Sequence, residues 1–258
     1  MSRQVSFVLS RRTMTYFISA PFGNFLQHST FSTNATCVTG TFTLKPRPGR
    51  LKQIIKTLRY VKSEAGWGWR NQLGLRNPGI FKGIENTAWH SVMSISSLEP
   101  NDWKILYEIV PKHMSVELNI SCPNVDRHPK LTKAFAKDKR KWCIVKVPPT
   151  ITQKQLDRIV NLGYNQIHAS NTLPTEKGGL SGRIIVPHTM GIISFLKANY
   201  PHVEVIAGGG VTDKFSASRY LDAGADHISL GTVCFTPVSY THLRAHETRE
   251  DIGWRDGG

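Results

Sequence analysis

Short apolar runs alternate with amphipathic segments along the middle of the chain. The apolar runs are six or seven residues long. Runs of this length, rich in branched or aromatic residues and bounded by Gly, Pro or Asn, are typical of β-strands. We therefore predict eight strands, over residues 36–42, 67–73, 91–96, 116–121, 143–148, 165–170, 203–208 and 227–232.

The segments between these runs carry apolar residues at helical spacing. They predict helices over residues 49–61, 101–110, 130–141, 152–163, 188–199 and 213–224, with a short helix near 81–90. For the helix over 213–224, Thr212 is the expected N-cap, and Gly224 is a natural residue for its C-terminal end.

Strand and helix therefore alternate about eight times, which indicates a parallel sheet with right-handed crossovers. Strands this hydrophobic are covered on both faces. Eight such units close into a (β/α)₈ TIM barrel, the fold that we predict, with a doubly wound sheet as the alternative. We assign residues 16–237 to this barrel, 1–15 to an N-terminal extension and 238–258 to a non-native tail.

Both ends of the chain have unusual composition. The first 63 residues contain no Asp or Glu, and Arg3, Arg11 and Arg12 lie among Ser and Thr, as in organelle-targeting segments. Translated upstream sequence before Met14 is the alternative, and we otherwise expect a cytoplasmic protein. The tail includes "VSYTHLRAHET", which resembles translated sequencing adapter. We therefore expect the native chain to end near Pro237, with the eighth helix missing or replaced.

Composition narrows the classes of partner. The 258 residues are 40% hydrophobic, enough for one large core, and no apolar run reaches membrane-spanning length. The formal net charge of +15 suits nucleic acid, a membrane surface or anionic small ligands. Because no nucleic-acid recognition motif accompanies this charge, we expect no nucleic-acid partner and no membrane. The four cysteines form no C-x-x-C pair, so we predict no metal site.

The loops after the last two predicted strands have the composition of a phosphate site. The seventh strand runs into Gly208, Gly209 and Gly210, and the eighth ends at Gly231 and Thr232. Glycines allow close approach of backbone N–H groups to an anion, and barrels often bind phosphate at these loops. Tight turns without a ligand are the alternative.

Polar residues also stand at or near the ends of four other predicted strands. Lys146 lies in the apolar run "IVKVP", where burial requires an anion or an electron-rich partner, unless the side chain points outward. Amides both donate and accept hydrogen bonds, so converging Asn side chains suit a flat heterocycle, although each alone is typical of turns. Cys122 would face the same ligand as a base or nucleophile. The amides in question are Asn71, Asn119, Asn124 and Asn171.

These motifs resemble those of the dihydroorotate dehydrogenase family. The similar segments are "NQLGLRNPGI", "ELNISCPN", "IVKVPPT", "NTLPTEKGGLSG", "VIAGGGV" and "SLGT", in the family's order, over roughly residues 16–237. The resemblance implies a flavin-dependent oxidoreductase on a (β/α)₈ barrel. Such an enzyme would oxidise the CH–CH bond of dihydroorotate in pyrimidine biosynthesis, and barrels of this family often form homodimers.

The resemblance also implies roles for individual residues. Lys146 would approach the flavin ring, and Cys122 would be the general base that takes a proton from carbon 5 while carbon 6 delivers a hydride. The substrate would bind Asn71, Asn119, Asn124, Asn171 and Thr172. The cofactor FMN would be held by Gly209, Gly210, Gly231 and Thr232 at its phosphate, and by Ala20, Gly23, Gly40, Lys146 and Gly182.

One departure from the family pattern concerns substrate recognition. Family members usually carry a second lysine at an early strand end, and at the two matching places this chain has Gly40 and Asn24. Another dihydropyrimidine or an alkene is therefore an alternative substrate, and a non-catalytic flavin-binding protein is a further alternative. The resemblance leaves fumarate, quinone and NAD acting through a partner subunit open as electron acceptors.

Overall fold

The computed structural model of the chain describes residues 13–24, 35–122 and 129–235. Twelve β-strands and six α-helices lie in these ranges. The strands are β1 Tyr16–Ile18, β2 Ala35–Thr43, β3 Arg59–Ser63, β4 Gly66–Asn71, β5 Val92–Ser96, β6 Ser115–Asn119, β7 Cys143–Val147, β8 Gln166–Ala169, β9 Leu173–Thr175, β10 Gly178–Leu180, β11 Glu204–Gly208 and β12 His227–Leu230. The helices are α1 Arg50–Thr57, α2 Ile80–Asn86, α3 Asp102–Ile109, α4 Gln153–Asn161, α5 Val186–Asn199 and α6 Lys214–Asp222.

Eight strands form a closed barrel in the order β1-β12-β11-β8-β7-β6-β5-β2, and every pair in it is parallel. The predicted (β/α)₈ barrel is therefore confirmed. The other four strands form a separate antiparallel sheet in the order β3-β4-β10-β9. The predicted eighth helix and tail, residues 238–258, lie outside the described residues, as do residues 1–12.

The choice of barrel strands was wrong at one place. Residues 67–73 were predicted as the second barrel strand, but they overlap β4, which pairs with β3 and β10 outside the barrel. The missing barrel strand is β1, which pairs with β12 on one side and β2 on the other. Three residues are too few to show a period, so only these pairings identify β1 as a strand.

The predicted helix over 130–141 was also wrong. Only a short 3-10 turn, Phe135–Lys137, forms there. Arg140 is buried and donates hydrogen bonds to Asp138 and to the carbonyl of Pro111, at 3.0 and 2.7 Å. These contacts tie the segment to the end of α3, and a continuous helix is absent.

The barrel interior changes from apolar to polar along the strand direction. One cluster of buried apolar residues fills the lower interior, and it includes Val92 and Ile144. Residues two apart on a strand share a face, so Ser94 and Lys146 lie directly above these two. The buried polar residues at this level are Ser94, Glu117, Lys146 and His168, and we call them the polar layer. Outward-facing residues of the same strands pack against the helices in the main core cluster.

No helix in the described part of the chain is long and apolar enough to cross a bilayer.

The N-cap of helix α6 lies one residue after the predicted cap. The N-cap is Asp213, whose carboxylate accepts from the Ser216 N–H at 2.7 Å, while the Ser216 hydroxyl accepts from the Asp213 N–H at 3.1 Å. The predicted cap Thr212 instead donates its hydroxyl to Asp213 at 2.9 Å. At the other end, Gly224 has φ of +102°, as a helix C-terminus favours.

We expect Asp213→Ala to lower the free energy of unfolding by about 1 kcal/mol, because the first turn of α6 loses its capping acceptor. Urea denaturation at pH 7 measures this, with Thr212→Ala as the matched control, expected to change it by less than about 0.5 kcal/mol. A larger loss in the Thr212 variant would contradict the assignment of the cap.

Candidate functional site

A cavity of about 350 Å³ opens at the carboxyl ends of the barrel strands. Its volume is within the range of small-molecule sites, and this end of a TIM barrel is where active sites form. Thirteen of the predicted site residues line it. They are Ala20, Gly40, Asn71, Asn119, Cys122, Lys146, Asn171, Thr172, Gly182, Gly209, Gly210, Gly231 and Thr232.

Two predicted residues are not among these thirteen. Gly23 lies in the short turn Phe22–Asn24, where a Cβ atom would collide with the backbone of Val38 in β2. Its side of the turn packs on the barrel, and the contact of Gly23 with a cofactor stays a prediction. Asn124 lies outside the described residues.

Asn71 reaches the cavity by a different route from the one predicted. It ends β4, in the antiparallel sheet, and pairs with Gly179 of β10. Its side-chain oxygen accepts a hydrogen bond from the Leu73 N–H at 3.3 Å. This sheet therefore borders the barrel mouth and contributes an amide from outside the barrel.

The glycine loop after β11 is held by tight packing. Gly209 and Gly210 have φ of +90° and +70°, which side-chain-bearing residues rarely adopt. A Cβ atom on Gly209 would lie 2.7 Å from Ile185, and one on Gly210 would lie 2.7 Å from Val186. The hydroxyl of Tyr220 donates to the Gly209 carbonyl at 2.6 Å. The loop thus lies close to the start of α5 with its backbone exposed to the cavity.

Gly231, after β12, borders open space in the cavity. A Cβ atom there would meet only Ser19, at 3.9 Å, so a larger side chain would occupy the cavity itself. Thr232 follows and begins a 3-10 helix, Thr232–Phe235. Backbone groups from two neighbouring loops are therefore available to one ligand at this side of the cavity.

Lys146 points into the barrel, not outward. It is 6% exposed and lines the floor of the cavity. Within the described part of the chain, its ammonium has no hydrogen bond or ion pair at ordinary distance. Its Cα partner on β8 is His168, and Glu117 lies on β6, the other neighbouring strand.

Glu117 supplies the charge that compensates Lys146. Burial by itself would raise the pKa of the Glu117 carboxyl, but the charge of Lys146 and the hydrogen bond from His168 lower this pKa to about 2. His168 Nδ1 lies 2.7 Å from Glu117 Oε2. Burial and the nearby ammonium of Lys146 lower the pKa of His168, so the imidazole is neutral at pH 7 and donates its Nδ1–H to the carboxylate. The polar layer therefore carries one positive and one negative charge.

Cys122 follows β6 and contributes a thiol to the cavity wall. The side chain is 9% exposed and forms no disulfide. Asn119, at the end of the same strand, and Asn171, just after β8, lie on the same lining. The cavity thus combines a thiol, an ammonium and several amides, which suits proton transfer next to a planar polar ligand.

Several cavity residues were not predicted. Arg50, the first residue of α1, and Arg76 add two guanidinium groups, and Trp69 of β4 adds an aromatic wall. Burial lowers the pKa of Arg50. Nothing in the local sequence distinguishes the two arginines from other surface cations. Glu117, in the polar layer below the cavity, was also not predicted, but the sequence does carry a signal for its inward position. In "VELNIS" a charged residue stands two positions before Asn119, on the same inward face of the strand.

Comparison with known proteins identifies the family of this chain. The family model described as dihydroorotate dehydrogenase matches residues 22–243, more than half of the chain. The chain belongs to the dihydroorotate dehydrogenase family. The family confirms the predicted enzyme class, an oxidoreductase that acts on CH–CH groups, and such enzymes are flavin-dependent in general.

Curated family members are similar over most of their length. The chain is 29% identical, over 64% of its own length and 72% of the relative's, to the catalytic subunit of dihydroorotate dehydrogenase B (NAD(+)) from Thermotoga petrophila. It is 26% identical to the protein of the same name from Pelobacter propionicus, over 78% of this chain and 76% of that one.

Two solved family structures support the fold. Both are dihydroorotate dehydrogenase from Eimeria tenella, one ligand-free and one in complex with ferulenol. The TM-scores are 0.59 and 0.61, with 18% and 17% sequence identity. The similarity covers 84% of this chain and 78% of the ligand-free structure, and 92% and 82% for the complex.

We expect Glu117→Gln to lower the free energy of unfolding by about 3 kcal/mol at pH 7, because it leaves a buried ammonium without its compensating charge. Urea denaturation at one fixed flavin concentration measures this. The double variant Glu117→Gln/Lys146→Met removes both charges and should recover most of the loss. A double variant as unstable as the sum of the two single variants would contradict the pairing.

The pH dependence of the same variant has a defined sign. The folded-state pKa of Glu117, about 2, lies below the ordinary value of 4.5, so its stabilisation is present above pH 4.5 and is lost as pH falls towards 2. The difference in stability between the parent and Glu117→Gln should therefore shrink over this range.

Proposed function

We propose that this chain oxidises dihydroorotate to orotate, with FMN bound at the barrel mouth and Cys122 as the general base. The observation that carries the proposal is one shared cavity, lined by the Cys122 thiol, the buried Lys146 ammonium and the glycine loops after β11 and β12. Family membership supplies the prior for this chemistry, and the arrangement of these groups supports it.

The residues present are suited to FMN. A phosphate needs backbone N–H groups and space, and Gly231 borders open cavity where any larger residue would intrude. Lys146 is buried, lines the same cavity and has no ion pair at ordinary distance in the described part of the chain. An electron-rich ring edge beside this ammonium would be stabilised, and more so when the ring gains negative charge.

When bound, FMN supplies the two-electron acceptor that takes the hydride from carbon 6 of the substrate. Cys122, as the thiolate, takes the proton from carbon 5, so that the product gains its double bond between these carbons. Lys146 holds positive charge at the cavity floor throughout. Asn71, Asn119, Asn171 and Thr172 hold the planar ring by its polar edges and thereby align carbon 5 with the sulfur.

Recognition of the substrate carboxylate takes a different form in this chain. Gly40 stands where family members usually carry a lysine. Arg50 and Arg76 also line the cavity, and a guanidinium binds a carboxylate with two parallel hydrogen bonds. We assign this role to these two arginines. The second candidate, oxidation of a dihydropyrimidine that lacks the carboxylate, is favoured by the same Gly40.

Three other expectations remain predictions. They are the cytoplasmic location, the homodimer and the barrel boundaries at residues 16 and 237. The electron acceptor follows the relatives in this proposal, since those most similar are named for NAD(+).

Anaerobic mixing of the flavin-loaded protein with dihydroorotate tests the proposed function. We expect the flavin absorbance band to bleach, because the substrate delivers two electrons to the bound cofactor. Dihydrouracil, which lacks the carboxylate, is the matched comparison. Bleaching by dihydrouracil alone would replace the first candidate with the second, and bleaching by neither would leave a flavin-binding protein without this activity.

Cys122→Ala should slow reduction by dihydroorotate by at least about a hundredfold, because general-base catalysis contributes on this scale. Stopped-flow absorbance measures the rate, and the FMN content should equal that of the parent. Cys122→Ser, which retains a weaker base of similar size, should fall between the two. An alanine variant that reacts as fast as the parent would remove Cys122 from the mechanism.

A further inference from the structure

A continuous series of buried hydrogen bonds connects the polar layer with the amides of the cavity. Ser94 Oγ donates to Glu117 Oε1 at 2.9 Å, and Thr41 Oγ1 lies 2.9 Å from Ser94 Oγ. Asn119 Nδ2 then donates to Thr41 Oγ1 at 3.0 Å. The series therefore runs from a carboxylate that is fully buried to an amide that lines the cavity.

The direction of each bond follows from the carboxylate. An ionised carboxylate only accepts, so the single Ser94 hydroxyl hydrogen is committed to Glu117. Ser94 must therefore accept from Thr41, and Thr41 must accept from the Asn119 amide. All donors point towards Glu117, and its second oxygen takes the Nδ1–H of His168.

The series continues to the second amide of the cavity. Asn119 Oδ1 accepts from both the N–H and the hydroxyl of Ser121, at 3.1 and 2.8 Å. Ser121 Oγ therefore accepts from Asn171 Nδ2, at 2.9 Å, and the Ser121 carbonyl also accepts from Asn171 Nδ2, at 3.2 Å. Asn171 Oδ1 accepts from the Thr172 N–H at 2.8 Å.

Counting donors and acceptors shows what remains for a ligand. Among the described residues Asn119 Nδ2 donates one of its two hydrogens, to Thr41, so one N–H donor remains. Asn171 directs its Nδ2 to Ser121, and its oxygen keeps one lone pair beside the bond from Thr172. The two amides can therefore offer Asn119 Nδ2 as a donor and Asn171 Oδ1 as an acceptor, the two hydrogen-bonding roles that a cyclic amide edge requires of its partners.

We propose that Glu117, Ser94 and Thr41 are positioning residues that fix this donor–acceptor pair for a cyclic amide edge of the substrate. The inference rests on the proposed function and deepens it. Backbone groups hold the oxygen ends of both amides, and the series of hydroxyls holds the nitrogen end of Asn119. Without that series, Asn119 loses the fixed acceptor that keeps its remaining N–H in a single orientation.

The test measures binding of orotate and of uracil to the FMN-loaded protein, from the change in flavin absorbance. Both rings carry the cyclic amide edge, and only orotate carries the carboxylate. Ser94→Ala interrupts the series of hydrogen bonds at a residue that is fully buried and does not line the cavity. We expect both dissociation constants to rise about tenfold, the size of one buried hydrogen bond, with the FMN dissociation constant unchanged.

Three further variants separate positioning from general loosening. Thr39 lies on β2, as Thr41 does, and its buried hydroxyl is hydrogen-bonded to Thr87 at 2.9 Å, outside the series. Thr39→Val should therefore leave both dissociation constants unchanged. Thr41→Val should weaken binding as Ser94→Ala does, and Thr41→Ser should restore it. The double variant Ser94→Ala/Thr41→Val should bind the two rings no more weakly than Thr41→Val alone, because both substitutions interrupt the same series of hydrogen bonds.

The outcomes distinguish the two levels of the argument. A parent protein that binds either ring, with Ser94→Ala binding it equally well, overturns the inference alone. Equal weakening by Thr39→Val overturns it too, since the effect would then be unspecific. A parent that binds FMN but neither ring overturns the inference together with the proposed function.

Discussion

The cavity depends on a buried ammonium that the barrel can accommodate only with a counter-charge. Lys146 lies inside the barrel, one level above the apolar cluster that contains Ile144. Desolvating such a charge is costly, and Glu117 on the adjacent strand offsets the cost without closing a direct ion pair. The ammonium is consequently held at the cavity floor with its own hydrogen-bonding capacity still available to a ligand.

This constraint also explains why the polar layer is so extensively hydrogen-bonded. A buried carboxylate needs donors for both oxygens, and Ser94 and His168 provide them. Because the hydroxyl hydrogen of Ser94 is used on the carboxylate, Ser94 can only accept a hydrogen bond from its other neighbour, Thr41. The requirement propagates through Thr41 to Asn119 at the cavity surface, so electrostatics below the site and amide orientation in the site are aspects of one network.

The cationic groups of the cavity come from the barrel and from outside it. Gly40 of β2 contributes no side chain to the cavity, while Arg50 comes from the start of α1 and Arg76 from the segment before α2. Both segments lie beside the antiparallel sheet, which also contributes Asn71 and Trp69. Residues outside the barrel thus complete a site whose floor belongs to the barrel strands.

Local pattern was sufficient for much of this protein and insufficient for particular parts of it. The alternation of apolar runs and amphipathic segments determined the (β/α)₈ barrel, because strand and helix periods differ, and the glycine and amide positions at strand ends determined most of the cavity lining. Tertiary structure alone decided that Tyr16–Ile18 closes the barrel, that residues 67–73 do not, and that residues 130–141 form only a short 3-10 turn. Strand pairing and the compensation of buried charges depend on residues that are distant in sequence. Lys146, Glu117 and His168 lie on three different strands, so the hydrophobic period of any one segment cannot predict that they meet.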